Sequence, residues 1–140
     1  MLGFLVCVLG LVNAATNDCG LATDRFKIEE VLFLPSNPHA GENTTLYLKF
    51  ANPNGPVDDG FTKTSITYNF IPFNPSMESL CKNTVCPIPS GFTEQASSSL
   101  WPNVAGTVTI RTTWLDLDGN QLLCFEVKEK TVEYDFVEGL

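Results

Sequence analysis

An antiparallel β-sandwich of two sheets and six to eight strands is the fold that this 140-residue sequence predicts. Three observations carry that expectation. Apolar and polar residues alternate with the strand period of two, clusters of Gly, Pro, Asn and Asp separate the alternating segments, and no stretch shows an amphipathic-helix pattern. The length suits one domain with a single core, and no repeat, low-complexity tract or linker divides it.

The chain opens with an apolar run from Met1 to Val12, then small residues at Asn13-Ala14-Ala15 and a polar Thr16-Asn17-Asp18. That is the shape of a signal peptide over 1–14, cut after Ala14 or Ala15, although its first residues lack Lys and Arg. A membrane helix needs ~20 apolar residues, so the run is short for an anchor. With no second such run, residues 15–140 are expected to be a secreted, soluble domain.

The strands follow in order. Phe26, Ile28 and Val31 to Leu34 form the first, with an irregularity in its middle, and Pro35 to Gly41 is a turn-rich break. Thr44, Leu46, Leu48 and Phe50 alternate with Thr45, Tyr47 and Lys49 until Asn52-Pro-Asn-Gly-Pro56 ends that strand. A third spans Thr62 to Phe73, with Ile66, Tyr68 and Phe70 on one face and Thr67, Asn69 and Ile71 on the other. Phe92 to Ala96 is a short strand, and Ser97 to Gly106 is expected to be a loop. Val108, Ile110, Thr112 and Trp114 give the clearest alternation of all. Asp118-Gly119 then turns the chain into Leu122–Val127. Lys128-Glu129-Lys130 interrupts, and Val132, Tyr134 and Phe136 continue the pattern.

Cys7 leaves with the leader. Cys19, Cys81, Cys86 and Cys124 remain, an even number in a secreted chain for which three pairings exist. The spacing favours Cys81–Cys86 as a local staple and Cys19–Cys124 as a tie between the two ends. Zinc is the weaker reading, because no second close cysteine pair or paired histidine accompanies the first. The net charge of −8 argues against nucleic acid and against adhesion to anionic membranes at neutral pH.

Signatures of catalysis are missing. The single histidine, His39, lies in a Pro/Gly-rich turn, and no G-x-S-x-G elbow, HExxH or phosphate loop occurs. Asp116-x-Asp118-Gly119-Asn120 has part of a calcium-loop pattern but lacks the later Glu, so a hairpin turn explains it better. No metal is expected. Asn43-Thr44-Thr45 is a glycosylation sequon at a strand start. Ten Phe, three Tyr and two Trp exceed what a small sandwich needs for packing, although such a pattern by itself is more often core than ligand cavity.

Cys81 and Cys86 before Pro87, Trp114 ahead of the Asp118-Gly119 turn, Cys124-Phe125 after it and an upstream Asp18-Cys19-Gly20 form one frame. That frame resembles the ML family of small secreted lipid-recognition domains, most closely its soluble Niemann-Pick type C sterol carriers. The resemblance implies an immunoglobulin-like sandwich with an internal lipid cavity, no enzymatic activity and no cofactor beyond the lipid. Ile71-Pro72-Phe73 looks like the Val-Pro-Phe segment whose Phe packs on sterol at the carriers' pocket mouth. The stretch Ile28 to Pro35, which contains Phe33, is similar to the family's first strand. Gly41 to Phe50 matches its second, with Leu46 and Leu48 facing the pocket. Trp114 and Phe125 fall on the family's strand tryptophan and the aromatic beside its last cysteine, while Leu100 to Val104 departs from the carriers' second mouth loop, where Trp101 is the candidate to replace the family's aromatic. The implied lipid-binding set is therefore Phe33, Leu46, Leu48, Ile71, Phe73, Trp101, Trp114 and Phe125. Ser36-Asn37-Pro38 departs from the pattern, since the carriers have an extra disulfide there.

The function implied is secreted lipid binding and transfer in an extracellular or endolysosomal lumen, with sterol as the favoured ligand. Its partners would be membranes, touched transiently, and a membrane lipid-transport protein, with the carrier itself a monomer. Phospholipid or glycolipid transfer on the same fold is the alternative. An immune or adhesion module with a solid sandwich is a third reading, from a different class.

Overall fold

The computed structural model describes residues 15–131, which form two antiparallel sheets packed face to face. The strands are β1 (Thr16–Asp18), β2 (Lys27–Leu34), β3 (Asn43–Asn52), β4 (Gly60–Tyr68), β5 (Ile71–Pro72), β6 (Ser76–Ser79), β7 (Gly91–Leu100), β8 (Gly106–Asp116) and β9 (Gln121–Thr131). The larger sheet runs β1-β9-β8-β4-β5, with β6 also paired to β4, and the smaller runs β2-β3-β7. This is the immunoglobulin-like sandwich expected from the sequence. The leader and the continuation through Val132, Tyr134 and Phe136 lie outside the described residues.

Alternation sets which side chains face inward. On β3, Thr44, Leu48 and Phe50 are buried, while Tyr47 between them is exposed. The irregularity expected in the first strand is a bulge at Ile28/Glu30, where the register against β3 shifts by one residue. Phe26 precedes β2, and its N–H donates to Leu122 O at 2.9 Å, which joins the two sheets at one margin.

Three expectations change. The Thr62–Phe73 segment is not one strand, because the chain reverses at Asn69-Phe70, where both residues have positive φ (47° and 68°). Tyr68 therefore pairs with Ile71 and shares its face, and Phe70 sits at the hairpin tip. Ser97 to Leu100 is strand and not loop. Its backbone continues the ladder against β3 from Leu46↔Ser97 to Asn43↔Leu100, and small polar side chains do not prevent that pairing. Lys128-Glu129-Lys130 does not interrupt β9 either. Lys128 and Lys130 are exposed and Glu129 is buried, so the charges keep the strand period. The short polar strands β1 and β6 offer too few residues for a periodicity to register.

Both disulfides form as the spacing favoured, Cys19–Cys124 and Cys81–Cys86. Cys19 is further fixed by its N–H, which donates to Cys124 O at 3.1 Å. The core is divided lengthwise. At the disulfide-loop end Phe26, Phe50, Leu80, Ile88, Trp114, Leu122, Leu123 and Phe125 pack with Leu48, Val31 and Val57. Phe50 and Phe26 stack at 5.1 Å, and Trp114 meets both edge-on. The opposite end is built differently. There Phe33, Trp101, Val108 and Val127 are buried, but Leu46, Ile66, Tyr68, Val104 and Ile110 around them are only partly so.

Candidate functional site

The loosely filled end opens on one side, between β7 of the small sheet and β4–β6 of the large one. Residues directly opposite in an antiparallel pair share a face. Thr44, Leu46, Leu48 and Phe50 point inward on β3, so their partners Ser99, Ser97, Gln95 and Thr93 form the inward row of β7. Ser97 and Ser99 are nevertheless exposed. Across the gap, Ile66↔Ile110 and Tyr68↔Val108 place Ile66 and Tyr68 on the inner face of β4, and both are half-buried. Phe73 N–H donates to Ile66 O at 2.9 Å, which extends the β4–β5 pairing by one residue and puts Phe73 on the same face. Ile71 and Phe73 are 60% and 54% exposed. Inward-facing side chains that reach solvent on both margins define an unsealed slit.

The reason is chemical. A sandwich margin is sealed when the core-facing row of its edge strand is apolar, and β7, the edge of the small sheet, presents two hydroxyls, an amide and a third hydroxyl in that row. Toward the disulfide loop the gap is closed by side-chain hydrogen bonds. There Gln95 Nε2 donates to Asn83 O at 3.0 Å and Thr84 Oγ1 donates to Gln95 Oε1 at 2.6 Å. Asn83 Nδ2 also donates to Thr62 Oγ1 at 3.1 Å, so the loop bridges both sheets.

At the far end the gap is capped. Trp101 packs on Phe33 with ring centroids 5.4 Å apart, and its Nε1 donates to Thr131 Oγ1 at 2.7 Å. Glu129, opposite Val108 on the inner face, is buried beside them. Its Oε1 accepts from Asn37 N–H at 3.1 Å, while Oε2 is buried without a partner. Burial pushes the Glu129 carboxyl above the usual carboxylate range, and the Asn37 bond offsets this only in part.

The implied lipid-binding residues fall into three groups. Phe33, Leu46 and Trp101 meet at the loosely filled end, and Ile71 and Phe73 stand at the rim of the slit. Leu48, Trp114 and Phe125 belong to the dense cluster, against which Leu46 also packs. The sequence reading missed Thr64, Ile110 and Thr112 on the inner face and Ser97 and Ser99 on β7. Ile110 and Thr112 were visible as an alternation, but the β7 pair needed the register with β3. Asn43 of the sequon is exposed at the start of β3.

His39, Asp116 and the Cys81–Cys86 pair have structural partners. His39 N–H donates to Glu42 Oε1 at 2.7 Å, and the ring Nδ1 lies 3.3 Å from the same oxygen, which closes a surface turn. These contacts with His39 hold the Glu42 carboxyl below its ordinary value. Asp116 Oδ1 accepts from the N–H groups of Asp118 and Asn120, both at 2.9 Å, so this carboxylate organises a hairpin. Cys81 and Cys86 lie beside Asp59, but their sulfurs are bonded to each other and offer no thiolate to a metal.

The sandwich has counterparts among known proteins. The ML-domain family model matches residues 13–131. Two Dictyostelium discoideum proteins, provisionally named phosphatidylglycerol/phosphatidylinositol transfer proteins 1 and 3, are each 28% identical over 129 residues, covering 89% of this chain and 85% of theirs. Among solved structures, a Niemann-Pick type C2 protein from the Japanese carpenter ant superposes with TM-score 0.62 at 15% identity, over 83% of this chain and 98% of that one. Chicken MD-1 complexed with lipid IVa gives TM-score 0.58 at 11% identity, over 84% and 98%. The family match spans all the described residues, and the sandwich that they form is the one these structures share. The chain belongs to the ML-domain family of lipid-recognition proteins.

Proposed function

We propose that this protein takes a single membrane lipid into the slit between its sheets and transfers it between bilayers. The observation that carries the reading is the pair of unsealed margins, where Ser97 and Ser99 on one side and Ile71 and Phe73 on the other face inward yet remain exposed. Ile66, Tyr68, Leu46 and Ile110 supply a half-buried apolar lining for acyl chains or a ring system. At ~25 cal/mol per Å², burying a few hundred Å² of lipid gives a gross gain of about 10 kcal/mol, from which the costs of association are subtracted. That range suits a carrier that must also release its cargo.

A glycerophospholipid is the first ligand class, supported by the polar wall on β7 and by the names of the two relatives. Sterol is the second, favoured by Ile71-Pro72-Phe73, whose two apolar side chains overhang the slit rim. The proposed setting is a secretory or endolysosomal lumen, reached through the leader at 1–14, with a monomer touching membranes transiently. The role is binding and release, without catalysis.

The test is to purify the protein from a secreting host, extract it with organic solvent and identify bound lipid by mass spectrometry. Transfer of labelled lipid between vesicles is then measured. Recovery of one lipid per protein and catalysed transfer are expected. A preparation that carries no lipid and moves none between vesicles rules the proposal out, and leaves a recognition module with a bare surface.

A further inference from the structure

β7 is an outer strand of the small sheet, and its pairing with β3 satisfies only one of its two edges. The phase of that pairing is fixed at Trp101, just past the strand, whose N–H donates to Glu42 O at 2.8 Å on the β3 side. Thr44 Oγ1 donates to Ser99 O at 3.0 Å on the same side. Backbone groups of successive residues turn to opposite edges, and the β3–β7 register runs without a shift. Thr93, Gln95, Ser97 and Ser99 therefore spend their N–H and C=O groups on β3, while Phe92, Glu94, Ala96, Ser98 and Leu100 turn theirs outward. No backbone hydrogen bond among the described residues takes up this second set. Natural edges are blunted by proline, lysine, a bulge or a short length. β7 has 10 residues, none of them Pro or Lys, and no bulge.

The open edge is complementary to itself. In an antiparallel pairing centred on Ala96, the Ala96 residues of two copies meet, Phe92 meets Leu100 and Glu94 meets Ser98. All of these belong to the outward-turned set, so each of its N–H and C=O groups finds a partner. Phe92 and Leu100 are 68% and 71% exposed in the single chain, and directly opposed they cover each other. Glu94, the strand's single charge, has Lys49 Nζ 3.8 Å away. The two Glu94 carboxylates stand four residues apart along the paired strands, ~13 Å, beyond the screening length at physiological salt. Centring on Glu94 would set those carboxylates face to face, and centring on Ser98 would lose the Phe92–Leu100 pairs.

We infer that the β7 edge pairs with β7 of a second copy of this chain in the Ala96-centred register. The axis relating two such strands is perpendicular to their sheet, so the pairing closes at two copies and both inner faces lie on the same side. β7 is also the small-sheet wall of the open margin, so the two slit mouths face each other and are shut against a bilayer. The monomer is then the form that touches membranes. The pairing does not depend on a ligand; its effect on transfer rests on the lipid-slit reading above.

The experiment uses the full mature protein. Sedimentation velocity over a range of concentrations is expected to show a reversible monomer–dimer equilibrium. Ala96→Cys is expected to link two copies on oxidation, because directly opposed residues of a hydrogen-bonded pair have Cα atoms ~5.5 Å apart. Ser98→Cys, whose two copies lie ~13 Å apart in this register, is expected not to. Ala96→Pro removes an outward N–H but leaves the β3 ladder whole, and should weaken the dimer by about tenfold or more. Ala96→Lys sets two like charges opposite each other and serves as the second variant, with thermal melts to check that each folds. Between neutral phosphatidylcholine vesicles, lipid moved per wild-type molecule should fall as the dimer fills, while Ala96→Pro keeps a constant rate per molecule. Wild type that stays monomeric up to about 1 mM overturns the inference and leaves the edge to a strand from another protein. A dimer that Ala96→Cys does not link, or that both Ala96→Pro and Ala96→Lys leave intact, overturns it too, since another face then holds the copies. Constant transfer per molecule across the dimer transition overturns the shutting of the mouth. Absence of transfer at every concentration removes the lipid-slit reading and the mouth closure with it, while sedimentation and cross-linking still decide the pairing.

Discussion

Asn69 and Thr107 clamp two strand ends together twice: Thr107 N–H donates to Asn69 Oδ1 at 2.9 Å, and Asn69 N–H donates to Thr107 O at 2.9 Å. The clamp fixes a two-residue hairpin that needs positive φ at both positions. It also requires Gly106, where a Cβ would come within 2.4 Å of Asn69 Oδ1. Asparagine tolerates the left-handed region, and phenylalanine ordinarily avoids it. Phe70 is thus held in a strained conformation while 83% exposed, at the tip of a hairpin beside the slit.

Phe70→Gly is accordingly expected to leave stability unchanged or to raise it by up to about 1 kcal/mol, with relief of strain set against the greater freedom of an unfolded glycine. Association with neutral vesicles should fall at the same time, because the exposed ring beside Ile71 and Phe73 is the apolar group best placed to enter a bilayer. Thermal melts and vesicle co-sedimentation measure the two effects. Unaltered sedimentation would show that this tip is not the contact.

Phe73→Ala and Trp114→Ala should separate the rim from the core. Phe73 is half exposed, so its truncation is expected to cost little stability but to weaken lipid binding strongly. Trp114 is 2% exposed against Phe26 and Phe50, and its loss should cost ~3–5 kcal/mol. Urea melts paired with titration of a fluorescent lipid decide the matter. A Phe73 variant that unfolds early but binds lipid normally would place Phe73 in the core.

Glu129 should make the fold less stable as pH rises. Its carboxyl is raised in the folded state, chiefly by burial, so its favourable contribution is complete below the unfolded value and fades as pH climbs through the folded one. Glu129→Gln keeps an acceptor for Asn37 N–H but does not ionise. Relative to this variant, wild type is expected to melt higher at pH 4 than at pH 7.5. A difference in melting temperature that is constant with pH would show that the buried carboxyl does not ionise in that range.

Transfer to anionic vesicles should be faster near pH 5 than at pH 7.5. A net charge of −8 repels such a surface, and partial protonation of the carboxylates weakens the repulsion. High salt at pH 7.5 should reproduce part of the gain. Equal rates under all three conditions would exclude charge as the control on docking.

The two disulfides should differ in value. Cys19–Cys124 closes a separation of 105 residues, and its removal by paired Ala substitutions is expected to cost ~4–5 kcal/mol in the chain-entropy account. Cys81–Cys86 closes a separation of 5, for which the same account gives ~2 kcal/mol. Chemical denaturation of the two paired variants measures both, and equal losses would point to packing at the bridges as the dominant effect.

The sequence by itself determined the strand class, the Cys81–Cys86 staple and the family frame, because these are written in local patterns, and with that staple made Cys19 and Cys124 are left to each other. Alternation is written into β3 and β8 residue by residue, the Cys81–Cys86 spacing allows little but a short loop, and Asp118-Gly119 specifies its hairpin. It also identified Phe33, Leu46, Ile71, Phe73 and Trp101, which the fold gathers at one end of the sandwich or along its rim. Only the tertiary structure separated them from Leu48, Trp114 and Phe125, since apolar residues on inner faces look alike in sequence whether they pack densely or loosely. The serine row of β7 was hidden for a stronger reason. Ser97-Ser98-Ser99 has no apolar periodicity, so it looks like a loop until pairing with Thr44 to Leu46 assigns each residue a face. Facing is a property of register between strands about fifty residues apart, and no local pattern encodes a partner that distant.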